Sequence, residues 1–269
     1  TEAVVRFQSE AITETFPAHG PVKTQVIGKQ TTERTAAAER VKDDMNWRLT
    51  DEMPEYRVEH ERLLWSLPIA GSAFKKVYHD ASRGRQVSMF VPAEDVVVNY
   101  GASDLHEAER ITHVMRRSKN WIERMIANGA YIDDEIGDPV VEQDETQQEK
   151  DKVIGVDGAN SDQHTILEML VDLEIEPTGE DEDEQEYAWP YVVTINKSTS
   201  KVMSIRRNWR AEDSKKIKLQ HFVHYTYITG FGFYGFGLVH LVGGHAKAGT
   251  SLLRQLVDAG TLANIPGGF

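Results

Sequence analysis

His221 to Phe269 reads HFVHYTYITGFGFYGFGLVHLVGGHAKAGTSLLRQLVDAGTLANIPGGF, and its reading decides the fold. A strand-like stretch runs into a knot of glycines and aromatic rings, and a helix follows whose first half is rich in small residues. Gly230, Gly232 and Gly235 have GxGxxG spacing with Gly237 behind them, the pattern of a nucleotide-binding turn. The residues between them, Phe231, Phe233, Tyr234 and Phe236, are bulky where a dinucleotide site keeps room for phosphate, and the nearest acid beyond the turn is Asp258. The spacing therefore predicts a packed joint, with a nucleotide-binding enzyme as the lesser alternative.

In the helix, Gly243, Gly244, Ala246, Ala248 and Gly249 form the small-residue half, and each glycine costs on the order of 1 kcal/mol against alanine. Close approach of a neighbouring backbone is the expected compensation, which marks these five as a candidate oligomer interface. Leu252, Leu253, Leu256 and Val257 form an apolar stripe with Arg254 and Gln255 elsewhere, and Gly260 and Asn264 ahead of Pro266 are stop signals. The apolar run Phe231 to Gly244 has 14 residues and contains His240, short of the roughly 20 a bilayer crossing needs, so no membrane partner is expected.

A chain of 269 residues with 40% hydrophobic content holds one large or two modest domains. It has no cysteine, which excludes disulfides and thiolate metal sites and predicts a reducing assembly compartment. Thr1 is not followed by a basic-then-apolar leader, so no secretory signal is expected, and the abrupt ends are those expected of a piece of a longer protein. Tyr131 to Tyr187 holds 21 acidic residues against two lysines, so this stretch carries −19 of a net −13 and leaves +6 on the rest. Two runs hold most of the acid, Asp133 to Asp162 and GEDEDEQEY at Gly179 to Tyr187. Such runs repel themselves and read as solvated loops, or else as an acidic surface for a channel or a basic partner.

Periodicity predicts helices over Val4 to Phe16, Glu33 to Leu49 and Glu55 to Leu67, the last burying Val58, Leu63, Leu64 and Leu67. Pro17, Gly20, Pro21 and Gly28 separate the first two. Strands are predicted over Ala73 to His79, Gln86 to Val91, Val96 to Tyr100 and Arg110 to Met115. Asn120 with Glu123 reads as a capping box for a short helix through Ala127. Thr165 to Ile175, Tyr191 to Ile195 and Val202 to Arg206 form a second strand group, with a turn at Ser198 to Ser200. The fold class is α+β, drawn as four segments: 1–130, the acidic insertion 131–164, a β-rich region 165–228, and the helix of 229–269.

Candidate catalytic and metal residues do not converge. His221 and His224, three apart on a strand, point to opposite faces, and no carboxylate completes a metal set with His240 and His245. Adjacent Glu94 and Asp95, like Asp43 and Asp44, diverge where acid–base catalysis needs two carboxyls on one substrate. Neither a GxxxxGK[ST] loop nor an identifiable Ser, His and Asp set is present. No enzyme, no cofactor and no metal are expected.

The run from Phe222 to Phe269, with its FYGFG turn, LLRQLVDAGTLAN helix and closing PGGF, resembles the portal proteins of tailed bacteriophages, particularly short-tailed ones. ERVKDDMNW (Glu39 to Trp47), LPIAGSAFKKVYHD (Leu67 to Asp80), FVPAEDVVVNY (Phe90 to Tyr100), ERITHVMRRSKN (Glu109 to Asn120) and PYVVTINKSTSKVMSIRRNW (Pro190 to Trp209) extend the likeness over most of the chain. The resemblance implies a non-enzymatic ring of about twelve copies closed by head-to-tail interfaces, at one capsid vertex of the virion and in the host cytoplasm during assembly. Double-stranded DNA would pass through it. The implied partners are the terminase large subunit, the major capsid and scaffolding proteins, and connector or tail proteins. It makes 1–130 wing-like, 165–228 clip-like and 229–269 the stem, and the acidic insertion departs from a compact pattern. Arg206, Arg207, Arg210, Lys215, Lys216 and Lys218 cluster around Trp209 as possible partner or phosphate contacts. A tunnel that lets DNA slide must avoid deep phosphate wells, which favours a hairpin face or an intersubunit charge pair for that cluster. Lys247 and Arg254 are the next candidates to face DNA. A soluble charged adaptor that never forms a ring is the alternative from another class.

Overall fold

The computed structural model describes residues 2–80, 83–133, 136–139, 145–155, 163–175 and 187–264. The acidic run at 179–187 lies outside them apart from Tyr187, as do much of 133–162 and the closing PGGF. The chain divides into two compact units, Thr1–Ala93 with His221–Phe269, and Glu94–Gln220.

The first unit contains helices α1 (Glu2–Thr15), α2 (Thr32–Trp47) and α3 (Glu55–Ala70), strands β1 (Ser72–Asp80) and β2 (Arg85–Pro92), and from the distal segment β8 (Phe222–Thr226) and α6 (Leu238–Asn264). A π-helical turn, Arg48–Glu52, follows α2. The sheet is antiparallel in the order β2-β1-β8, so a strand more than 100 residues distant closes it. Leu63, Leu64, Leu67 and Ala73 form its core, with Phe7, Ala11, Ile12, Phe90, Tyr225 and Tyr227 packed around them. Val58, expected on the buried face of α3, is half exposed; the buried stripe of the helix is His60, Leu63, Leu64, Leu67 and Pro68. Arg85 on β2 donates both guanidinium nitrogens to the Glu55 carboxylate at 2.6 and 3.0 Å, a bidentate pair that holds the Glu55 carboxyl below its usual range.

The second unit is a five-stranded antiparallel sheet in the order β3 (Val96–Val98), β4 (Arg110–Ser118), β5 (Gln163–Leu173), β6 (Trp189–Asn196), β7 (Val202–Arg207). Helix α4 (Lys119–Ala127) follows β4 and buries Ile122 against Met115, Ile166 and Met203. Its N-cap is Ser118, whose Oγ accepts from the Trp121 amide; the helix starts two residues ahead of the expected cap at Asn120, because a hydroxyl already stood at the strand end. The expected acidic insertion contains a helix, α5 (Glu145–Ile154). The α+β class holds, but the folding units cross the four segments drawn from sequence. β4 pairs with β5 across the acidic stretch, while β8 leaves the 165–228 group to pair with β1, since long-range antiparallel pairing is set by burial and register and not by local pattern.

Lys75 on β1 is 2% exposed and its Nζ has no hydrogen-bond partner among the described residues; the ammonium lies 3.6 Å over the centre of the Tyr56 ring. Burial lowers its pKa to about 8. Burial, with Lys75 nearby, also lowers His60 to about 4, and the His60 ring stacks on Tyr56 at 12°. Both bases bind fewer protons folded than unfolded. His60 thus contributes stability that is complete above about 6.5 and is lost as pH falls toward about 4; Lys75 adds stability as pH rises from about 8 toward 10.5. Lys75→Met is expected to raise the unfolding free energy at pH 7 by about 1–3 kcal/mol and to abolish the rise above pH 8, as read from urea unfolding across pH.

Candidate functional site

Three features carry the candidate function: the glycine knot, the helix that leaves it, and a basic loop in the second unit.

The knot is a crossing of two backbones. Gly71 caps α3 in the left-handed region with φ 84°, its amide bonded to Leu67 O at 2.8 Å. A Cβ at Gly71 would fall closer than 3.0 Å to backbone atoms of Gly235, Phe236 and Gly237; one at Gly237 would strike the backbones of Ile69 and Gly71, and one at Gly235 would meet Gly71 O at 2.6 Å and Ile228 O at 2.7 Å. Tyr227 N donates to Gly71 O at 3.0 Å and Phe236 N to Ile228 O at 2.8 Å. Around this crossing the near-parallel rings of His224, Phe74 and Phe233 form a triangle, with centroids 4.5 Å (His224–Phe74), 4.8 Å (His224–Phe233) and 5.9 Å (Phe74–Phe233) apart. Ser72 Oγ accepts from Gly235 N at 2.8 Å and meets His224 Nε2 at 3.0 Å. The space that a pyrophosphate would take is filled by Ile69–Gly71, and the Gly235 and Gly237 amides already donate within the chain. The nucleotide-binding alternative has no cradle here.

Helix α6 leaves the knot. It has 27 residues, about 40 Å at 1.5 Å per residue, and passes Gly260, the first of the two expected stop signals, to reach Asn264, the second. Val239, Leu241, Val242, Leu252, Leu253, Leu256, Val257 and Leu262 are all exposed, Leu256 at 71%. A Cβ added at Gly244 or Gly249 would meet nothing within 4 Å, and one at Gly243 only Val239 Cγ1 at 3.7 Å. The close backbone expected against Gly243, Gly244, Ala246, Ala248 and Gly249 is therefore not supplied by the described residues of this chain. Helical periodicity places Val242, Gly249 and Leu256 on one line and Lys247, Arg254 and Asp258 on the opposite face; Lys247 and Arg254 are exposed.

The basic residues sit at the end of β7 and in the loop after it. Asn208, 1% exposed, closes the loop: its N donates to Pro190 O, its Nδ2 donates to Leu219 O, and its O accepts from Leu219 N. Asp213 stiffens the tip by accepting from the amides of Lys215 and Ile217, both at 3.0 Å. The cations are only partly presented as a group. Arg206 lies 3.7 Å from Glu168, Arg207 is over Trp209, and Lys216 Nζ is 2.8 Å from the centre of the Trp189 ring. Lys218 donates to Ala108 O at 2.8 Å, and burial lowers its pKa. Arg210 and Lys215 are exposed.

The other singled-out residues stay apart. Asp95 pairs with Arg116 at 3.2 Å, Asp44 with Arg48 at 2.9 Å, and Asp43 with Lys42 at 3.7 Å. Among the described residues no group of three His, Cys, Asp or Glu could hold a metal ion, and no described helix is long and apolar enough to cross a membrane. Neither the family models nor the curated proteins searched with this sequence contain a match.

Sequence reading missed Gly71 and Ser72 as the other half of the knot, although a glycine after the apolar run of α3 is a C-cap signal. It also missed Asn208 and Lys75, whose burial depends on strands paired from afar. The two groups of glycines should respond oppositely to alanine in chemical denaturation. Gly237→Ala is expected to cost at least about 2 kcal/mol, and Gly244→Ala to gain about 0.8–1.0 kcal/mol.

Proposed function

We propose that this chain is a subunit of a ring-shaped bacteriophage portal, a non-enzymatic channel through which double-stranded DNA is packaged and later released. The observation that carries this reading is α6: a 27-residue helix with apolar side chains exposed along its length. Full burial of such side chains is worth about 1.5–3 kcal/mol each, which outweighs the roughly 1 kcal/mol cost of each of its glycines. In proteins most of a helix's stability comes from packing of its apolar face. Neighbouring copies supply the missing contacts.

A closed ring of identical subunits uses two different flanks of each helix, because its interfaces are head-to-tail. Gly244 lies beside the Lys247–Arg254–Asp258 face and Gly249 across the helix from it on the Val242–Leu256 line, so the two glycines face different surroundings. The face bearing Lys247, Arg254 and Asp258 turns to the channel, where mixed and sparse charge lets DNA slide without a deep phosphate well. In this reading α6 is the stem, anchored by the knot. The basic loop of the second unit meets an acidic partner surface, and the ring docks the terminase large subunit, the capsid and scaffolding proteins, and the connector or tail proteins. Its place is the portal vertex of the virion, reached through assembly in the host cytoplasm. The order of quoted motifs along the chain supports the same reading.

Gly249→Leu and Gly244→Leu are each expected to abolish the ring and leave a species near the 30.4 kDa chain mass by light scattering, with helical content by circular dichroism retained. An assembly mass unchanged in both variants would overturn the proposed interface.

A further inference from the structure

Helix α6 begins at an unusual cap. Gly237 is the N-cap: its carbonyl accepts from the amides of His240 at 3.0 Å and Leu241 at 3.3 Å. Its own N–H donates to His240 Nδ1 at 3.0 Å, the reciprocal half of a capping box, with a histidine where glutamate or glutamine usually stands. That bond exists only while Nδ1 carries no proton.

A second histidine serves the neighbouring amide by the same rule. Gly235 N–H donates to Ser72 Oγ, and Ser72 is 1% exposed. Ser72 Oγ lies 3.0 Å from His224 Nε2; in the tautomer with the hydrogen on Nδ1, Nε2 accepts the hydroxyl proton of Ser72. The Gly235 and Gly237 amides, two residues apart in the knot, thus both end on neutral imidazoles, one directly and one through a serine.

Protonation reverses each arrangement. At His224 the imidazolium has no acceptor to offer, and the buried Ser72 proton loses its bond. At His240 the N-cap N–H loses its acceptor, and a positive charge is placed at the positive end of the helix dipole. Among the described residues no compensating anion is at hand: the first turn of α6 has no acidic residue, the last turn of α3 has no basic residue, and its sequence from Leu67 to Ala70 has no acidic one. Lys76 on β1 is directed to the rings of Tyr78 and Phe222, and Phe236 is the ring beside His240. Burial, with no charged neighbour contributing, holds His224 below the ordinary histidine range.

We infer that His224 and His240 form an acid-sensitive latch at the root of α6, which holds the helix on the glycine crossing at neutral pH and lets its first turn open when both rings are protonated. The sign follows from the bonds: the latch is closed while both rings are neutral and opens under acid, and burial requires more acid than usual to protonate His224. The inference does not depend on the ring reading, since both histidines act within one chain.

The test is hydrogen exchange on the full chain at pH 7.5 and pH 5, corrected for intrinsic rates, followed in peptides covering 229–241. The expected result is a loss of protection of roughly tenfold or more at the acidic pH, confined to this segment. His240→Glu keeps an acceptor at N3 at both pH values, and should retain protection of the first turn of α6 at pH 5; His224→Gln should do the same for the Gly235 amide. Equal wild-type protection at the two pH values, or the same acid loss in both variants, would overturn the latch. Exchange rising equally in peptides from α3 and β1 would also overturn it, since that pattern is global destabilisation.

Discussion

The crossing of Gly71 over Gly235 and Gly237 is the constraint on which the first unit depends. Two backbone segments approach so closely that no Cβ fits at any of the three positions, which fixes where β8 ends, where α6 begins and how α3 hands the chain to β1. Ser72, next along the chain, adds the hydrogen bonds that order the crossing, and the stacked Phe74, His224 and Phe233 rings cover it. Helix α6 therefore has a fixed root and exposed flanks. A fixed base under a helix whose apolar side chains are exposed among the described residues is what a subunit needs if its helix is to meet copies of itself at a defined angle.

Glycine thus does two opposite things within 20 residues. Gly235 and Gly237 are required by the fold of this chain, because backbone occupies the space beside them; Gly244 and Gly249 face open space and weaken their helix. The first pair follows from the structure of one molecule. Among the described residues nothing comes close to the second pair, and the portal reading proposed above assigns that place to a neighbouring subunit.

Much of the local structure was legible in the sequence, since α1, α3, β1, β2, β6 and β7 lie within a few residues of their expected places. Of the aromatic residues between the knot glycines Phe233 is buried, while Phe231 and Tyr234 are exposed; the close packing of the knot is backbone against backbone. Pairing was not legible: β8 joins β1 and β2 across more than 100 residues, and nothing local in FVHYT announces its partner. The same blindness hid Lys75, which alternation along β1 does not distinguish from an exposed lysine, and the Ser72–His224 contact, whose members lie 152 positions apart. The basic cluster was legible as a cluster, but not the way Glu168, Trp189, Trp209 and Ala108 divide its cations. The helix was visible as amphipathic with a small-residue half; that it would stand without a partner could be learned only once the rest of its unit was folded around something else.

Electron microscopy of the purified full chain tests the central claim most directly, because the account requires α6 to be covered by copies of itself around a hole. Annular particles with a central channel and cyclic symmetry are the predicted result. Uniform particles of single-chain size, at concentrations where α6 remains helical, would contradict it.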